Sequence, residues 1–142
     1  MITVGWREWL SLPELGIKKI KAKVDTGART SCLHAFRVEP FEQQNGELWV
    51  RFWIHPIQDD AEFVVCSEAK VLDQRVVTDS GGHKENRYVI ETQLHIADQS
   101  WPIEVTLSNR ETMKFRMLLG RTAMRGKIVV DPEQSYLTKK TG

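Results

Sequence analysis

The sequence predicts an all-β fold, a closed β barrel with one short helix near the C-terminus. Three observations predict it: short apolar segments recur at close spacing, several of them alternate with polar residues, and turn residues separate them. Closure into a barrel removes the exposed strand edges that so many short strands would otherwise leave. The 142 residues suit a single core, so residues 1–142 are expected to form one domain.

The predicted strands of the first half begin at residue 17. The clearest covers residues 47–55, where Leu48, Val50, Phe52 and Ile54 point to one face and polar or aromatic residues to the other. The strands predicted in this half are 17–24, 31–38, 47–55, 62–66 and 70–78.

The second half is predicted to contain two hairpins and a final strand. A polar, glycine-containing turn at 79–84 separates the apolar pair 76–77 from 88–90, which is a hairpin signal. Residues 91–96 continue that strand and pair with 101–107. A buried strand at 115–119, one helical turn at 121–125 and a last strand at 127–130 complete the fold.

Charge and composition exclude several classes of protein. The chain has 20 basic and 19 acidic residues, and this near balance argues against bulk attraction to nucleic acid or to a membrane surface. It has no apolar run of about 18 residues that could span a membrane. Its first residues have no signal-peptide pattern, so a cytoplasmic location is expected. Cys32 and Cys66 are then expected to be reduced core residues.

The segment Asp25-Thr26-Gly27-Ala28 is the strongest candidate for catalysis. An aspartate in a tight loop after a strand is held by backbone amides, Thr26 can hydrogen-bond within the loop, and Gly27 permits a turn that a side chain would block. Aspartic proteolysis needs such a carboxylate, paired with a second one that shares its proton. The alternative is an ordinary turn, because Asp and Gly are common turn residues.

A second motif, Met117-Leu118-Leu119-Gly120-Arg121, strengthens the catalytic interpretation of the first. The order of D-T-G-A, a glycine-containing hairpin, two large apolar residues with a glycine, and a short helix resembles the retropepsin-like aspartic proteases. The resemblance covers most of the chain and implies the acid-protease barrel, with the hairpin as a flap over the substrate. It also implies that Leu118, Leu119 and Gly120 support the catalytic loop.

A bacterial branch of that family is a closer match. The segments DTGARTS, SGGHKENR and LLGRTAM resemble a group formerly labelled ATP-dependent zinc proteases and later regrouped as retropepsin-like. The resemblance implies a peptidase, with a peptide or protein substrate that includes glutamate-rich tails of a modified ribosomal protein. It also implies a functional association with an ATP-grasp glutamate ligase.

The resemblance assigns roles to residues of the three motifs. The implied catalytic residues are Asp25, Thr26 and Gly27. The implied substrate-binding residues are Ala28, Arg29, Ser80, Gly81, Gly82, Arg87 and Arg121.

Arginine stands where viral members of the family carry acidic residues. Arg29 and Thr30 follow the D-T-G-A motif here, and Arg121 therefore lacks its expected acidic partner. Arginines in a cleft favour carboxylates, so an anion-binding cleft is one interpretation. It would include Arg29, Lys84, Arg87, Arg121 and Arg125. In the other interpretation these cations are solvated or pair with Glu85, Glu91 or Asp131.

The sequence contains only one D-T-G motif, so the second carboxylate must come from elsewhere. A homodimer is favoured, because a two-fold axis would bring two copies of Asp25 face to face. Asp131 and Asp79 are the candidates within the chain.

Metal and cofactor sites have weaker support in the sequence. The chain has no H-E-x-x-H motif and no phosphate-binding glycine loop, so neither a metal nor a cofactor is predicted. Cys32, His34 and Cys66 could in principle hold zinc, although a core cysteine and a surface histidine explain them better. Two rivals to the peptidase therefore stay open: a non-catalytic binding module for acidic peptides, and a metal-dependent hydrolase.

Overall fold

The computed structural model describes residues 1–57, 60–78, 81–109 and 114–138. Within these ranges the chain forms twelve strands, one 3-10 helix at Pro13–Leu15 and one short α-helix. The strands are β1 Ile2–Val4, β2 Arg7–Leu12, β3 Ile17–Val24, β4 Ser31–His34, β5 Arg37–Glu42, β6 Leu48–Ile54, β7 Val65–Lys70, β8 Asp73–Thr78, β9 Lys84–Ile96, β10 Gln99–Ser108, β11 Met117–Leu119 and β12 Ile128–Val130. Helix α1 spans Arg121–Met124. The predicted all-β fold with one short helix near the C-terminus is confirmed.

Most strands belong to one large sheet that closes into a ring. The hydrogen-bonded order is β10-β4-β11-β3-β2-β9-β8, and β10 also pairs with β9. Six strands thus form a ring, and β8 extends it as an edge strand. A separate sheet, β5-β6-β7, packs beside the ring, and β1 pairs with β12 in a third sheet.

The core forms where apolar residues alternate toward the inside of the sheets. In β6, Val50, Phe52 and Ile54 are buried, as the alternation predicts. Ile90 and Leu94 of β9 contribute to the same buried cluster. No helix in the described ranges is long and apolar enough to cross a membrane.

Several strand predictions need correction. The chain bends after His34, because Ala35 N–H donates to Ser108 O and Phe36 N–H donates to Trp53 O, which passes the chain from one sheet to another. One predicted strand at 31–38 is therefore two strands, β4 and β5. The strands predicted at 62–66 and 70–78 begin three residues later, and β1 and β2 were missed. Cys66 is exposed rather than part of the core, whereas His34 is buried rather than on the surface.

The two ends of the described chain pack together. β1 and β12 run parallel, with Ile2 opposite Ile128 and Val4 opposite Val130. The following segment continues this contact, because Trp6 N–H donates to Gln134 O at 2.8 Å. A β-carbon at Gly5 would lie 2.1 Å from that same oxygen, so only glycine fits this approach.

Candidate active site

The loop that starts at Asp25 lies where three strands meet. It connects β3 to β4, and β11 lies between these two strands, parallel to β3 and antiparallel to β4. Leu118 is opposite Lys23 on one side and Cys32 on the other. The two apolar residues before Gly120 therefore flank the loop, as the resemblance implies.

Backbone groups hold Asp25 on several sides. Its N–H donates to Leu119 O at 2.9 Å, and its carbonyl accepts from Ala28 N–H at 3.2 Å. Its side-chain Oδ1 accepts from Gly27 N–H at 3.0 Å. Thr26 and Gly27 are exposed and Asp25 is half-buried, so the carboxylate stands at a surface that another molecule can reach.

Gly120 brings the start of α1 against the far side of the loop. A β-carbon at this position would lie 2.6 Å from the carbonyl carbon of Thr30 and 2.8 Å from Ser31 N, so a side chain would push the two segments apart. Gly120 N–H donates to the Ser31 hydroxyl at 3.0 Å. The next two N–H groups, of Arg121 and Thr122, donate to carbonyls of the loop.

The side chain of Arg121 contacts the same loop from outside. Its Nη1 lies 3.4 Å from Thr26 O and 3.3 Å from Gly27 O. Because no carboxylate follows the D-T-G-A motif, the guanidinium uses backbone carbonyls as acceptors. Arg121 therefore supports the Asp25 loop from its exposed side.

Arg29 lines a cleft of mixed charge beside the loop. The cleft has a volume of about 440 Å³, and Arg75, Glu91 and Glu104 also line it. Arg75 is held by Asp73 at 2.9 Å and by Glu104 at 3.0 Å. The hydrogen bond from Arg75 lowers the pKa of Asp73, and the same bond raises the pKa of Arg75.

A shallower cleft adjoins the exposed edge of the loop. Thr26, Arg121 and Arg125 line it together with apolar residues of α1 and β12, and its volume is about 230 Å³. Of the cations that the sequence predicted for an anion-binding cleft, Arg29 lines one cleft, Arg121 and Arg125 line the other, and Lys84 and Arg87 line neither. Arg29 and Arg125 are both exposed.

The predicted flap is the β8–β9 hairpin, with Val77 opposite Glu85. Gly81 and Gly82 are exposed near its tip, whereas Ser80 and Asp79 lie outside the described residues. Lys84 is also exposed. The contact of this hairpin with a substrate stays a prediction.

Arg87 occupies a different environment from the rest of the hairpin. Its side chain is only 10% exposed, and its Nε donates to Glu85 Oε1 at 2.6 Å. Its Nη1 also lies 3.5 Å from Cys32 Sγ and 3.5 Å from the Thr106 hydroxyl. Ser108 donates a further hydrogen bond to Glu85. Arg87 thus joins the hairpin to the barrel, and a role in substrate binding stays a prediction.

Of the two candidates for a second carboxylate, Asp131 forms no hydrogen bond with Asp25, and Asp79 lies outside the described residues. Among the described residues, the Asp25 carboxylate has one partner, Gly27 N–H. The Asp131 carboxylate accepts from Glu133 N–H at 3.1 Å, and Asp131 N–H donates to Val4 O. Asp131 therefore shapes the turn after β12. Within the described ranges, no group of three His, Cys, Asp or Glu side chains could hold a metal ion.

The structure adds one supporting residue and gives a further role to another, Glu85, which the sequence had already offered as a partner of the arginines and which pairs with Arg87. Ser31 was not among the predicted site residues, yet it is buried and its hydroxyl accepts a hydrogen bond from Gly120 N–H. Glu85 was weighed as a partner for surface arginines, and the structure adds that it links β9 to β10 through Ser108. The position of Ser31 directly after D-T-G-A-R-T was the available signal.

The Asp25 loop joins two strands of a six-stranded ring, and β11, which ends in two apolar residues before Gly120, pairs between them. Together with the β8–β9 hairpin, this arrangement defines an acid-protease fold. The family model described as "Retropepsin-like aspartic endopeptidase RimB" matches residues 3–141. The chain therefore belongs to the RimB-like family, and the resemblance stated from the motifs is confirmed.

Several relatives and one solved structure are similar to this chain over most of its length. A protein of Parasynechococcus marenigrum named "Probable alpha-L-glutamate ligase" is 52% identical over 95% of this chain and 29% of its own length. One of the same name from Shewanella pealeana is 45% identical over 98% of this chain and 30% of its own length. The chain thus spans less than a third of these relatives. A crystal structure of a Legionella pneumophila protein of unknown function (DUF785) superimposes with a TM-score of 0.79 at 25% identity, covering 96% of this chain and 98% of that one.

Proposed function

We propose that this chain is an aspartic endopeptidase that hydrolyses peptide bonds through a water activated by Asp25. The observation that carries the proposal is the support of the Asp25 loop. Leu119 O, Gly27 N–H and the first N–H groups of α1 hold the loop, while the carboxylate stays at an accessible surface. Such rigid placement of one carboxylate is what a shared-proton pair requires.

The reaction uses one ionised and one protonated carboxyl group. The ionised carboxylate takes a proton from water as the water oxygen bonds to the scissile carbonyl carbon, and the protonated carboxyl gives its proton to the carbonyl oxygen. In the second step the carbon–nitrogen bond breaks and the nitrogen takes a proton through the carboxyl pair. The products are a carboxylic acid and an amine, and one shared proton remains in the site.

A second copy of the chain supplies the other carboxylate in this proposal. Asp25 has no carboxylate as a hydrogen-bond partner among the described residues, and Thr26 and Gly27 are exposed beside it. A two-fold axis near this loop would bring the two Asp25 side chains together. Like charges at that distance cannot both ionise, so the pair would hold one proton.

The proposed substrate is a glutamate-rich peptide, and the proposed partner is a glutamate ligase. Relatives that contain a matching segment carry the name alpha-L-glutamate ligase, and the segment is less than a third of their length. An endopeptidase that acts on glutamate tails would oppose such a ligase. Exposed Arg29 and Arg125 beside the loop suit a substrate with carboxylate side chains.

The test compares cleavage of a peptide with a glutamate tail by wild type, Asp25→Asn and Asp131→Asn, from acidic to neutral pH, with and without a chelator. Activity lost in Asp25→Asn, kept in Asp131→Asn and insensitive to the chelator supports the proposal. Full activity in Asp25→Asn refutes it, and loss only with the chelator favours a metal-dependent hydrolase.

A mixing experiment tests the second copy. If two chains share one site, refolding wild type with an equal amount of Asp25→Asn lowers activity per wild-type chain by about half, because random pairing places half of the wild-type chains in mixed dimers. Unchanged activity per wild-type chain would exclude a shared site.

The second candidate is a binding module for acidic peptides without turnover. The single carboxylate at the site favours it, because one aspartate lacks the partner that this chemistry needs. It predicts that wild type and Asp25→Asn bind the peptide equally and that neither cleaves it.

A further inference from the structure

One face of the β2–β3 pair is strongly basic. Lys19, Lys21 and Lys23 occupy alternate positions of β3, and the intervening Ile20, Ala22 and Val24 are buried in the core. On β2, Trp9 is opposite Lys21 and Arg7 is opposite Lys23. These five residues form what we call the basic face.

Aromatic rings position the cations of this face. Lys19 Nζ lies 4.5 Å from the centre of the Trp9 ring, and Lys21 Nζ lies 5.8 Å from it. The guanidinium of Arg7 lies 4.5 Å from the ring of Trp6 and 4.9 Å from that of Tyr136. Cation–π contacts of this kind restrict long side chains, so binding a ligand would cost less conformational entropy.

The charge of this face is not neutralised by the described carboxylates. The ion pairs that the described residues form among themselves lie on β5 to β10 and in the loop before β6. Arg7, Lys19, Lys21 and Lys23 take part in none of them. The net charge of the whole chain is only +1, so this face concentrates positive charge that is compensated elsewhere in the molecule.

A cleft of about 420 Å³ opens along one end of the basic face. Trp6, Phe115 and Leu118 give it apolar walls, and Arg7, Lys21 and Lys23 line it as cations. The rings of Trp6 and Phe115 meet edge to face at 5.9 Å. The site thus combines hydrophobic contact area with positive charge.

We propose that the basic face binds an extended acidic segment of polypeptide, outside the site at Asp25. Alternate side chains on a strand lie about 6.4–6.8 Å apart, so the three lysines match the carboxylates on one side of an extended glutamate-rich chain. Lys23 is two residues before Asp25, which places one end of the face next to the candidate active site. The ligand class rests on the proposed function, whereas binding to this face does not use Asp25.

The contacts on the rings favour a peptide over single-stranded nucleic acid. Recognition of nucleic acid by a basic, aromatic surface depends on bases stacking on open rings. Here Arg7 and Lys19 lie over the rings, and Trp9 already stacks with Tyr136 at 6.4 Å. The cations are therefore free to bind carboxylates, whereas the ring faces are already covered by cations and by Tyr136 and cannot stack with bases.

Binding is measured with an oligoglutamate peptide on Asp25→Asn, which prevents turnover, using the fluorescence of Trp6 and Trp9 and the anisotropy of a labelled peptide. The triple variant Lys19→Gln/Lys21→Gln/Lys23→Gln is expected to bind at least about tenfold more weakly, and wild-type binding is expected to weaken with added salt. Replacing the same lysines with arginine is expected to retain binding, which separates charge from folding.

The control variant removes three charges elsewhere, Lys18→Gln/Lys70→Gln/Lys127→Gln. An equal loss of affinity in this control would overturn the proposal, because net charge alone would explain binding. Tighter binding of a single-stranded RNA of equal charge than of the peptide would also overturn it.

Kinetics on the wild-type background separate this proposal from the proposed function. If the chain cleaves the peptide, the triple glutamine variant raises KM and leaves kcat unchanged. If no cleavage occurs but the glutamine variant still loses peptide affinity, the peptidase proposal fails and the basic face remains a binding site.

Discussion

Replacing Glu8 with alanine should be among the most destabilising single changes in this chain. Glu8 lies on β2 with its side chain fully buried, and its carboxylate accepts four hydrogen bonds. Oε2 accepts from Gly5 N–H and Leu137 N–H, both at 2.7 Å. Oε1 accepts from Thr138 N–H at 3.1 Å and from the Thr138 hydroxyl at 2.9 Å.

The magnitude follows from the donors left behind. Glu8→Ala leaves three backbone N–H groups without their acceptor, and each unsatisfied buried donor costs about 1–3 kcal/mol. Residues 137–138 can move away and reach water, so the expected loss of unfolding free energy is about 3–5 kcal/mol rather than the full sum.

Glu8→Gln should cost less, about 1–3 kcal/mol, because one of its two atoms remains an acceptor. The amide nitrogen fits best toward Thr138, whose hydroxyl can turn to accept. One backbone donor, Thr138 N–H, then loses its partner.

The assay is urea unfolding monitored by tryptophan fluorescence, and Glu133→Ala, which removes an exposed carboxylate, is the control. The control should change the unfolding free energy by less than about 0.5 kcal/mol. A loss below about 1 kcal/mol in Glu8→Ala would refute the reasoning, because the carboxylate would then not be needed as an acceptor.

Three further changes test other parts of the structure. Gly120→Ala places a β-carbon 2.6 Å from the carbonyl carbon of Thr30 in the Asp25 loop. It should therefore cost about 1–3 kcal/mol in urea unfolding and abolish any activity that depends on Asp25, and wild-type stability would contradict this. Arg87→Met removes the cation that pairs with the partly buried Glu85, which keeps its hydrogen bond from Ser108, and should cost about 2 kcal/mol in unfolding free energy. The double variant with Glu85→Gln should recover part of the loss, and additive losses would exclude coupling. The pKa of the Asp73 carboxyl, measured by NMR, should lie below its ordinary value because the hydrogen bond from Arg75 stabilises the charged form, and Arg75→Gln should raise that pKa. The stability that this pair contributes is present above the pKa of the unfolded chain and is lost as pH falls through the pKa of the folded chain. An unchanged pKa in Arg75→Gln would contradict the assignment.

Alternation and turn residues were enough to predict the parts of the fold where local pattern and burial agree. β6 alternates cleanly, and β9 with β10 forms the predicted hairpin. β2 was missed because Glu8 and Ser11 occupy buried positions, so the polar residues do not mark the outer face. β1 has three residues and depends on pairing with β12, which no local pattern reveals.

The motifs of the candidate site could be predicted from the sequence, whereas the hydrogen bonds between its side chains and distant segments could not. D-T-G-A and L-L-G indicated Asp25 and its supporting strand, because these residue types suit a tight loop and a close approach. The acceptors of Arg121 and the partner of Arg87 depend on strand register between distant segments. Tertiary geometry therefore decided which predicted arginines face solvent and which brace the fold.

The pairing of the first strand with the last has a consequence for the order of events during synthesis. The Asp25 loop needs Leu119, Gly120 and the N–H groups of α1, all made about 95 residues after it, and β1 waits still longer for β12. Contacts this distant in sequence form late, because the intervening chain must be ordered first. A nascent or truncated chain ending before β11 would therefore carry the D-T-G-A motif without a formed site, and any activity would appear only once the domain is fully made.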